Sequence, residues 1–158
     1  MSSPCPCPRP APLAPASDMD FSIRTAAPAD VPAMHRLRLG VRENLLSDPG
    51  RVQESSYLPY VAAGSAWVAE KDGAIVGFAA ADGPDERVWA LFVEPDAQGA
   101  GVGRALHAAM LAWARGKGLC RLRLATGPGT RAARFYEQAG WTAAGTAPDG
   151  ELLFERRT

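Results

Sequence analysis

A turn with three glycines carries the clearest chemical signal in the sequence. Glycine occupies positions 99, 101 and 103, between an apolar strand-like segment and a helix-like segment. The first N–H groups of a helix have no partner within the helix, and the helix dipole adds positive charge there. Glycine lets a ligand approach these groups closely because it has no Cβ. The pattern is typical of a site for phosphate oxygens.

Two familiar nucleotide-binding motifs do not fit this turn. A Rossmann dinucleotide site requires glycine at position 104, which is Arg104 here, and a second βαβ half that the chain lacks. A P-loop requires Gly-Lys-Ser or Gly-Lys-Thr, which the sequence does not contain. The spacing alone leaves two interpretations open, a phosphate-binding turn and a purely structural turn.

The composition is that of one globular domain. The 158 residues are 47% hydrophobic and 22% charged, which suffices for a single core. Because 17 basic residues balance 17 acidic ones, no bulk charge favours nucleic acid or an anionic membrane as a partner. No apolar run has the length of a membrane span. We therefore expect neither nucleic acid nor membrane among the partners.

The N-terminal segment and the cysteines indicate the organisation and the compartment. Residues 1–18 contain six prolines and no apolar signal-peptide core, so we expect a disordered proline-rich arm before a folded domain at 19–158. Three cysteines without metal-ligand spacing argue against a disulfide framework and a metal site. A cytoplasmic location is the corresponding expectation.

Periodicity in the first half predicts alternating strands and helices. Apolar residues three or four apart indicate helices, and strict alternation indicates strands. Asp72-Gly73 between two β-rich runs predicts a tight hairpin. The predicted elements are a strand from Phe21, a helix capped by Asp30 and ended near Gly40, a helix over 51–62 containing Pro59, and strands over 66–70 and 74–80.

The second half predicts a parallel strand pair. Residues 87–93 are almost continuously apolar, as in a strand covered on both faces. A helical stripe over 103–117 and a strand around Leu122 and Leu124 follow, which makes a strand–helix–strand unit with a right-handed crossover. A helix over 130–139 and strands over 141–145 and 151–156 complete the prediction.

Two motifs within this arrangement resemble the signatures of the GNAT superfamily of N-acyltransferases. The first, (Gln/Arg)-x-x-Gly-x-(Gly/Ala) after the central strand, is matched by Gln98, Gly101 and Gly103. The second, Ala-x-x-(Phe/Leu)-Tyr followed by Gly-aromatic, is matched over 132–136 and 140–141. One departure is Gly129, since many members carry asparagine seven residues before the tyrosine, where it contacts the pantetheine arm of coenzyme A.

The resemblance implies an α/β fold of the α+β type. Its mixed, mostly antiparallel sheet has about six or seven strands flanked by about four helices, with a splayed parallel pair at the cofactor site. It also implies direct transfer of an acetyl group from acetyl-CoA to a primary amine, with no metal. The implied cofactor-binding residues are Leu91, Phe92, Val93, Gln98, Gly99, Ala100, Gly101, Val102, Gly103, Arg104, Thr130 and Tyr136.

The resemblance implies that Tyr136 is the general acid that protonates the leaving thiolate. From periodicity alone, a tyrosine on this apolar helix face is more typical of the core, with a satisfied hydroxyl. Glu86, near the start of the central strand, is the base that the resemblance suggests. Glu94 and Glu151 are further candidates, and His35 is expected to lie on a partly buried helix face.

The acceptor is not identified by the sequence. The resemblance places Arg42, Glu43, Asn44, Tyr57 and Tyr60 where this family builds its acceptor pocket, and ordinary loop and helix residues are the alternative interpretation. The chain also fits an alternative, a non-catalytic acyl-CoA-binding module of the same fold that uses the Tyr136 helix only for packing. Similar enzymes often form dimers, so a homodimer is expected.

Overall fold

A computed structural model describes residues 21–40, 53–97 and 101–158. The predictions for the proline-rich arm, for Arg42, Glu43 and Asn44, and for Gln98, Gly99 and Ala100 lie outside the described residues. The described elements are β1 (Ser22–Thr25), α1 (Val31–Gly40), α2 (Leu58–Ala62), β2 (Ala66–Lys71), β3 (Ala74–Asp82), β4 (Arg87–Val93), α3 (Val102–Gly116), β5 (Arg121–Thr126), α4 (Arg131–Gln138), β6 (Thr142–Thr146) and β7 (Leu152–Arg157).

The described strands form one seven-stranded sheet with the order β1-β2-β3-β4-β5-β7-β6. All neighbours are antiparallel except β4 and β5, which are parallel. Lys71 pairs with Ala74 across the predicted Asp72-Gly73 turn, which confirms the hairpin. The sheet and the four α-helices of the described residues confirm the predicted fold class, including its parallel pair.

Helices cover both faces of the sheet and create two cores. Successive side chains of a strand point to opposite faces. Phe78 and Ala80 accordingly pack in the core with α1 and α2, whereas Ala79 and Ala81 pack in the core with α3 and α4. The alternation explains why β3 and β4 read as nearly continuous apolar runs.

The segments before α1 and α2 differ in detail from the prediction. Asp30 lies in a short turn before α1, where its carboxylate accepts the Ala27 N–H at 2.7 Å and pairs with Arg24 at 2.7 Å. Asp30 therefore stabilises the entry to α1 without being the cap of the α-helix itself. The second predicted helix is a 3-10 turn, Glu54–Tyr57, followed by α2. Pro59 is accommodated because the first turn of a helix needs no N–H there.

Candidate active site

The two sequence motifs and the central strand meet at one point of the fold. A Cβ placed on Gly103 would lie 3.5 Å from Cε2 of Phe135 and 3.7 Å from Cγ2 of Val93. Gly103 is in the first turn of α3, Val93 ends β4, and Phe135 belongs to α4 beside Tyr136. Residues from three separate elements are thus brought together.

The start of α3 is built to expose backbone donors. Gly101 is the N-cap of α3, with φ 88°, and it contributes no side-chain acceptor to the helix. That positive φ strains any residue with a Cβ, which accounts for glycine at this position. Gly101, Val102, Gly103 and Arg104 therefore form a helix start whose N–H groups and dipole favour an anion.

A glycine that the motifs do not include sets the position of this helix start. A Cβ on Gly77 of β3 would lie 2.9 Å from Cγ1 of Val102 and 3.2 Å from the carbonyl oxygen of Phe92. Glycine thus lets the first turn of α3 lie directly on the sheet beside β4. The only sequence signal was a glycine within an apolar strand, which is typical of a close backbone approach.

The parallel pair opens from one end. The register between β4 and β5 contains a single pair, Arg87 with Arg123, and the Arg123 N–H donates to the Glu86 carbonyl at 2.8 Å. Beyond it, β5 stays paired with β7 as far as Thr126. The strands are therefore joined at the start of β4 and splayed toward residues 91–93, as expected.

A β-bulge reshapes the other side of the same strand. Ala80 pairs with Ala90 and Ala81 with Val88, so Trp89 is the extra residue of β4. A bulge bends its strand and redirects the neighbouring side chains. Trp89 consequently packs in the core that faces α1 and α2, where Tyr57 and Tyr60 contact it.

Tyr136 is buried beside this opening of the sheet. Its ring contacts Phe135 and Trp141, each with 5.3 Å between ring centroids. Within the described residues its hydroxyl has no hydrogen-bond partner, although a core tyrosine usually finds one. Burial raises the pKa of Tyr136, so the hydroxyl stays protonated at neutral pH but is a weaker acid than an exposed tyrosine.

Thr130 begins α4. Its hydroxyl donates to the Gly127 carbonyl at 2.8 Å and accepts the Ala133 N–H at 3.1 Å. Gly129 before it has φ 71°, in the left-handed region that asparagine adopts more readily than most residues. The turn thus uses the Thr130 hydroxyl for capping, and a cofactor contact by Thr130 stays a prediction.

Of the carboxylates proposed as bases, Glu86 lies away from the opening, whereas Glu94 directly follows the last residue of β4. Glu86 lies at the closed end of the strand pair, with its carboxylate 3.7 Å from Arg121, and about 20 Å along β4 from Val93. Glu94 is exposed, and Glu151 is partly exposed. The assignment of Glu86 as base stays a prediction that this position does not strengthen.

A cavity of about 300 Å³ lies between α3, α4 and β7. Arginines but no acidic side chains line it, among them Arg104, Arg115 and Arg156. His107 lines it too, and its Nε2 accepts the Trp141 indole N–H at 2.9 Å. Burial lowers the pKa of His107 to about 4, so the ring is neutral at physiological pH. The positive lining next to the start of α3 favours anionic groups.

Three further observations bear on the class of protein. The described residues contain no group of three or more His, Cys, Asp and Glu side chains that could hold a metal ion. Among the helices in the described ranges, none combines the length and apolar character needed to cross a bilayer. Cys120 is disulfide-bonded, which differs from the expectation that the cysteines form no disulfide framework. Cysteine usage therefore no longer supports a reducing compartment.

A family model for the acetyltransferase (GNAT) domain matches residues 62–143. The chain is 38% identical over 112 residues to an aminoglycoside N(6')-acetyltransferase type 1 of Stenotrophomonas maltophilia, covering 63% of this chain and 71% of that protein. It is also 38% identical over 86 residues to a mycothiol acetyltransferase of Thermobispora bispora, covering 48% of this chain. Of that relative's own length, the match spans only 29%.

A solved structure shares the fold at low sequence identity. An N-acetyltransferase from Thermoplasma acidophilum, in complex with coenzyme A, superposes with a TM-score of 0.78 at 14% identity. The match covers 89% of this chain and 100% of that one. The likeness extends the comparison beyond residues 62–143 to most of the chain.

Proposed function

The chain belongs to the GNAT family of acetyltransferases, and we propose that it transfers an acetyl group from acetyl-CoA to a primary amine by direct attack on the thioester. The observation that carries this proposal is the meeting of the end of β4, the first turn of α3 and the Tyr136 helix beside a splayed parallel pair. The coenzyme A bound to the Thermoplasma acidophilum neighbour supports the choice of cosubstrate.

In this proposal the helix start and the splayed strand hold the cosubstrate. The backbone N–H groups of Gly101 through Arg104, together with Gln98, Gly99 and Ala100, donate to the pyrophosphate oxygens. The edge of β4 at Leu91, Phe92 and Val93 receives the pantetheine arm and the thioester. Thr130 adds a contact at the start of α4.

The proposed reaction needs one group that stabilises the carbonyl oxygen of the thioester and another that protonates its sulfur. A backbone donor near residues 91–93 stabilises the oxyanion that forms when the amine attacks the carbonyl carbon. Tyr136 donates its hydroxyl proton to the thiolate as the C–S bond breaks. A base must take the proton of the amine, which is mostly protonated at neutral pH. Glu86, Glu94 and Glu151 stay the candidates for this base, although Glu86 lies about 20 Å along β4 from the proposed thioester position.

The test is transfer to a panel of amines. The protein is incubated with acetyl-CoA and amino acids, polyamines, peptide N-termini or aminoglycosides, the last included because of the S. maltophilia relative. Free thiol and acetylated product are measured together by colorimetry and mass spectrometry. Matched formation of both supports the proposal. Binding of acetyl-CoA without transfer to any amine would instead favour the alternative, a non-catalytic acyl-CoA-binding module.

The remaining predictions concern the location, oligomeric state and partners of the protein. A cytoplasmic location, a homodimer and the absence of nucleic-acid and membrane partners stay predictions. Size-exclusion chromatography with light scattering measures the oligomeric state directly. A monomer at micromolar concentration would remove the homodimer from the account.

A further inference from the structure

The guanidinium of Arg38 lies against an aromatic surface on the α1 side of the central strand. Its central carbon is 4.8 Å from the centroid of the Trp89 ring and 5.1 Å from that of Phe92. Tyr60 stacks on Trp89 at 4.6 Å, and Tyr57 meets the same ring edge-on at 5.1 Å. Aromatic faces hold a guanidinium in a fixed orientation.

The guanidinium of Arg38 interacts with the Tyr57 hydroxyl but has no acidic partner among the described residues. Its Nε and Nη1 atoms are buried and have no hydrogen-bond partner. None of the ion pairs formed by the described residues includes Arg38. Arg38 is partly buried, so two of its guanidinium nitrogens are shielded from water without a hydrogen bond, which is unfavourable. Among the described residues, no carboxylate competes with an incoming anion for these nitrogens.

The position of Arg38 relates it to the acceptor rather than to coenzyme A. Arg38 belongs to the α1 and α2 face, whereas the helix start that is proposed to bind pyrophosphate is on the α3 face. Trp89 is the bulge of β4, and Phe92 is next to its last residue. The guanidinium therefore lies along the strand that is proposed to hold the thioester, on the opposite side of the sheet from the phosphates.

We propose that Arg38 binds a carboxylate of the acceptor, so that the acceptors are amino acids or other amines that carry a carboxylate. The inference rests on the proposed acetyl transfer and names the substrate class of that site. A carboxylate offers two oxygens that match the planar donors of a guanidinium. Polycationic amines without a carboxylate are disfavoured because they bring like charge to Arg38.

The test compares acceptors that differ only in the carboxylate. Acetyl transfer is measured with amino acids and with the corresponding amino acid amides. We expect kcat/KM to be at least about tenfold higher for the acids. Arg38→Gln removes this preference by raising KM for the acid, while KM for acetyl-CoA is unchanged. Arg36→Gln is the matched control, because Arg36 is exposed on the same helix, and it keeps the preference.

A second measurement makes the result independent of turnover and of the folding of one variant. Thermal shift in the presence of coenzyme A reports binding of the acid and of the amide. It is measured for the parent protein, for Arg38→Gln and for Arg38→Lys, which keeps the charge without the planar donors. Stronger stabilisation by acids than by amides, reduced in either Arg38 variant, supports the inference. Equal transfer to acids and amides, or equal stabilisation by both, overturns it and leaves the proposed acetyl transfer intact. Failure of transfer to every amine, with acid-specific stabilisation retained, counts against the proposed function alone.

Discussion

Tyr136 combines a buried ring with a hydroxyl that lacks a hydrogen-bond partner in the described part of the chain. A tyrosine retained only for packing would lose nothing by becoming phenylalanine, since no hydrogen bond to it exists there. A proton donor to the thiolate loses its function with the same change. Whether Tyr136 is only a core residue or also the general acid therefore depends on the role of its hydroxyl oxygen.

We expect Tyr136→Phe to lower kcat by about a hundredfold while KM for acetyl-CoA changes little, because general acid catalysis contributes about 10² to 10⁴ in rate. Thermal unfolding of the variant without ligand is the control, and it should match that of the parent protein because no hydrogen bond is lost. Steady-state kinetics at saturating amine give the answer. A variant with unchanged kcat would remove Tyr136 from the chemistry and leave it as a core residue.

At the residue scale, the sequence motifs identify only candidate residues that lie within the motifs themselves. Tyr136 and Gly101 were predicted because each falls at a fixed position of a local pattern. Arg38 was not predicted, since its contacts with Trp89 and Phe92 join residues that are remote in sequence. Gly77 was missed as well, because its role depends on Val102 of a different element.

Helix α3 is held in its N-terminal half by two contacts that fix where its N-terminus points. At its start, Gly77 allows Val102 to lie directly on β3. One turn further along, the neutral ring of His107 accepts the Trp141 indole N–H just before β6. Protonation of His107 at Nε2 would remove this acceptor and place a charge beside Arg156. The link between α3 and the strand that follows α4 is therefore sensitive to pH.

The stability of the fold should fall as the pH is lowered through the interval between the two pKa values of His107. Burial lowers its pKa to about 4 in the folded protein, whereas an unfolded chain has about 6.5. The unfolded state binds more protons in this interval, so the free energy of unfolding decreases from about pH 7 to about pH 5. His107→Gln keeps an acceptor but cannot titrate, and it should show a smaller decrease.

Urea unfolding of both proteins at the two pH values measures this difference, and an NMR titration of the His107 ring protons checks the pKa in the parent protein. Equal losses of stability in parent and variant, with a His107 pKa near 6.5, would contradict the buried neutral ring. A variant too unstable to measure leaves the NMR titration as the deciding experiment.

At the element scale, the sequence was sufficient where the signal was local. The Asp72-Gly73 hairpin, β4 and the helix stripe of α3 were predicted with bounds within a residue or two. The entry to α1 was not, because Asp30 bonds to Ala27 and Arg24 instead of capping the helix directly. The splay of β4 from β5 came from the family resemblance, since strand divergence leaves no trace in hydrophobic periodicity.

At the scale of the whole molecule, the two faces of the sheet give separate access to β4. The α3 and α4 face holds the helix start and the arginine-lined cavity, and the α1 and α2 face holds Arg38 with its aromatic neighbours. The splayed end of β4 lies between them. In the proposed function acetyl-CoA and the amine occupy these two faces at the same time, so no acetyl group has to be stored on the protein.

The most direct test of this account is the initial rate of thiol release with acetyl-CoA and an accepted amine varied together. Simultaneous occupation of both faces predicts double-reciprocal lines that intersect, together with acetylated amine equal to the thiol released. Parallel lines, with an acetylated protein detected by intact mass when the amine is left out, would show transfer through a covalent intermediate and contradict direct attack.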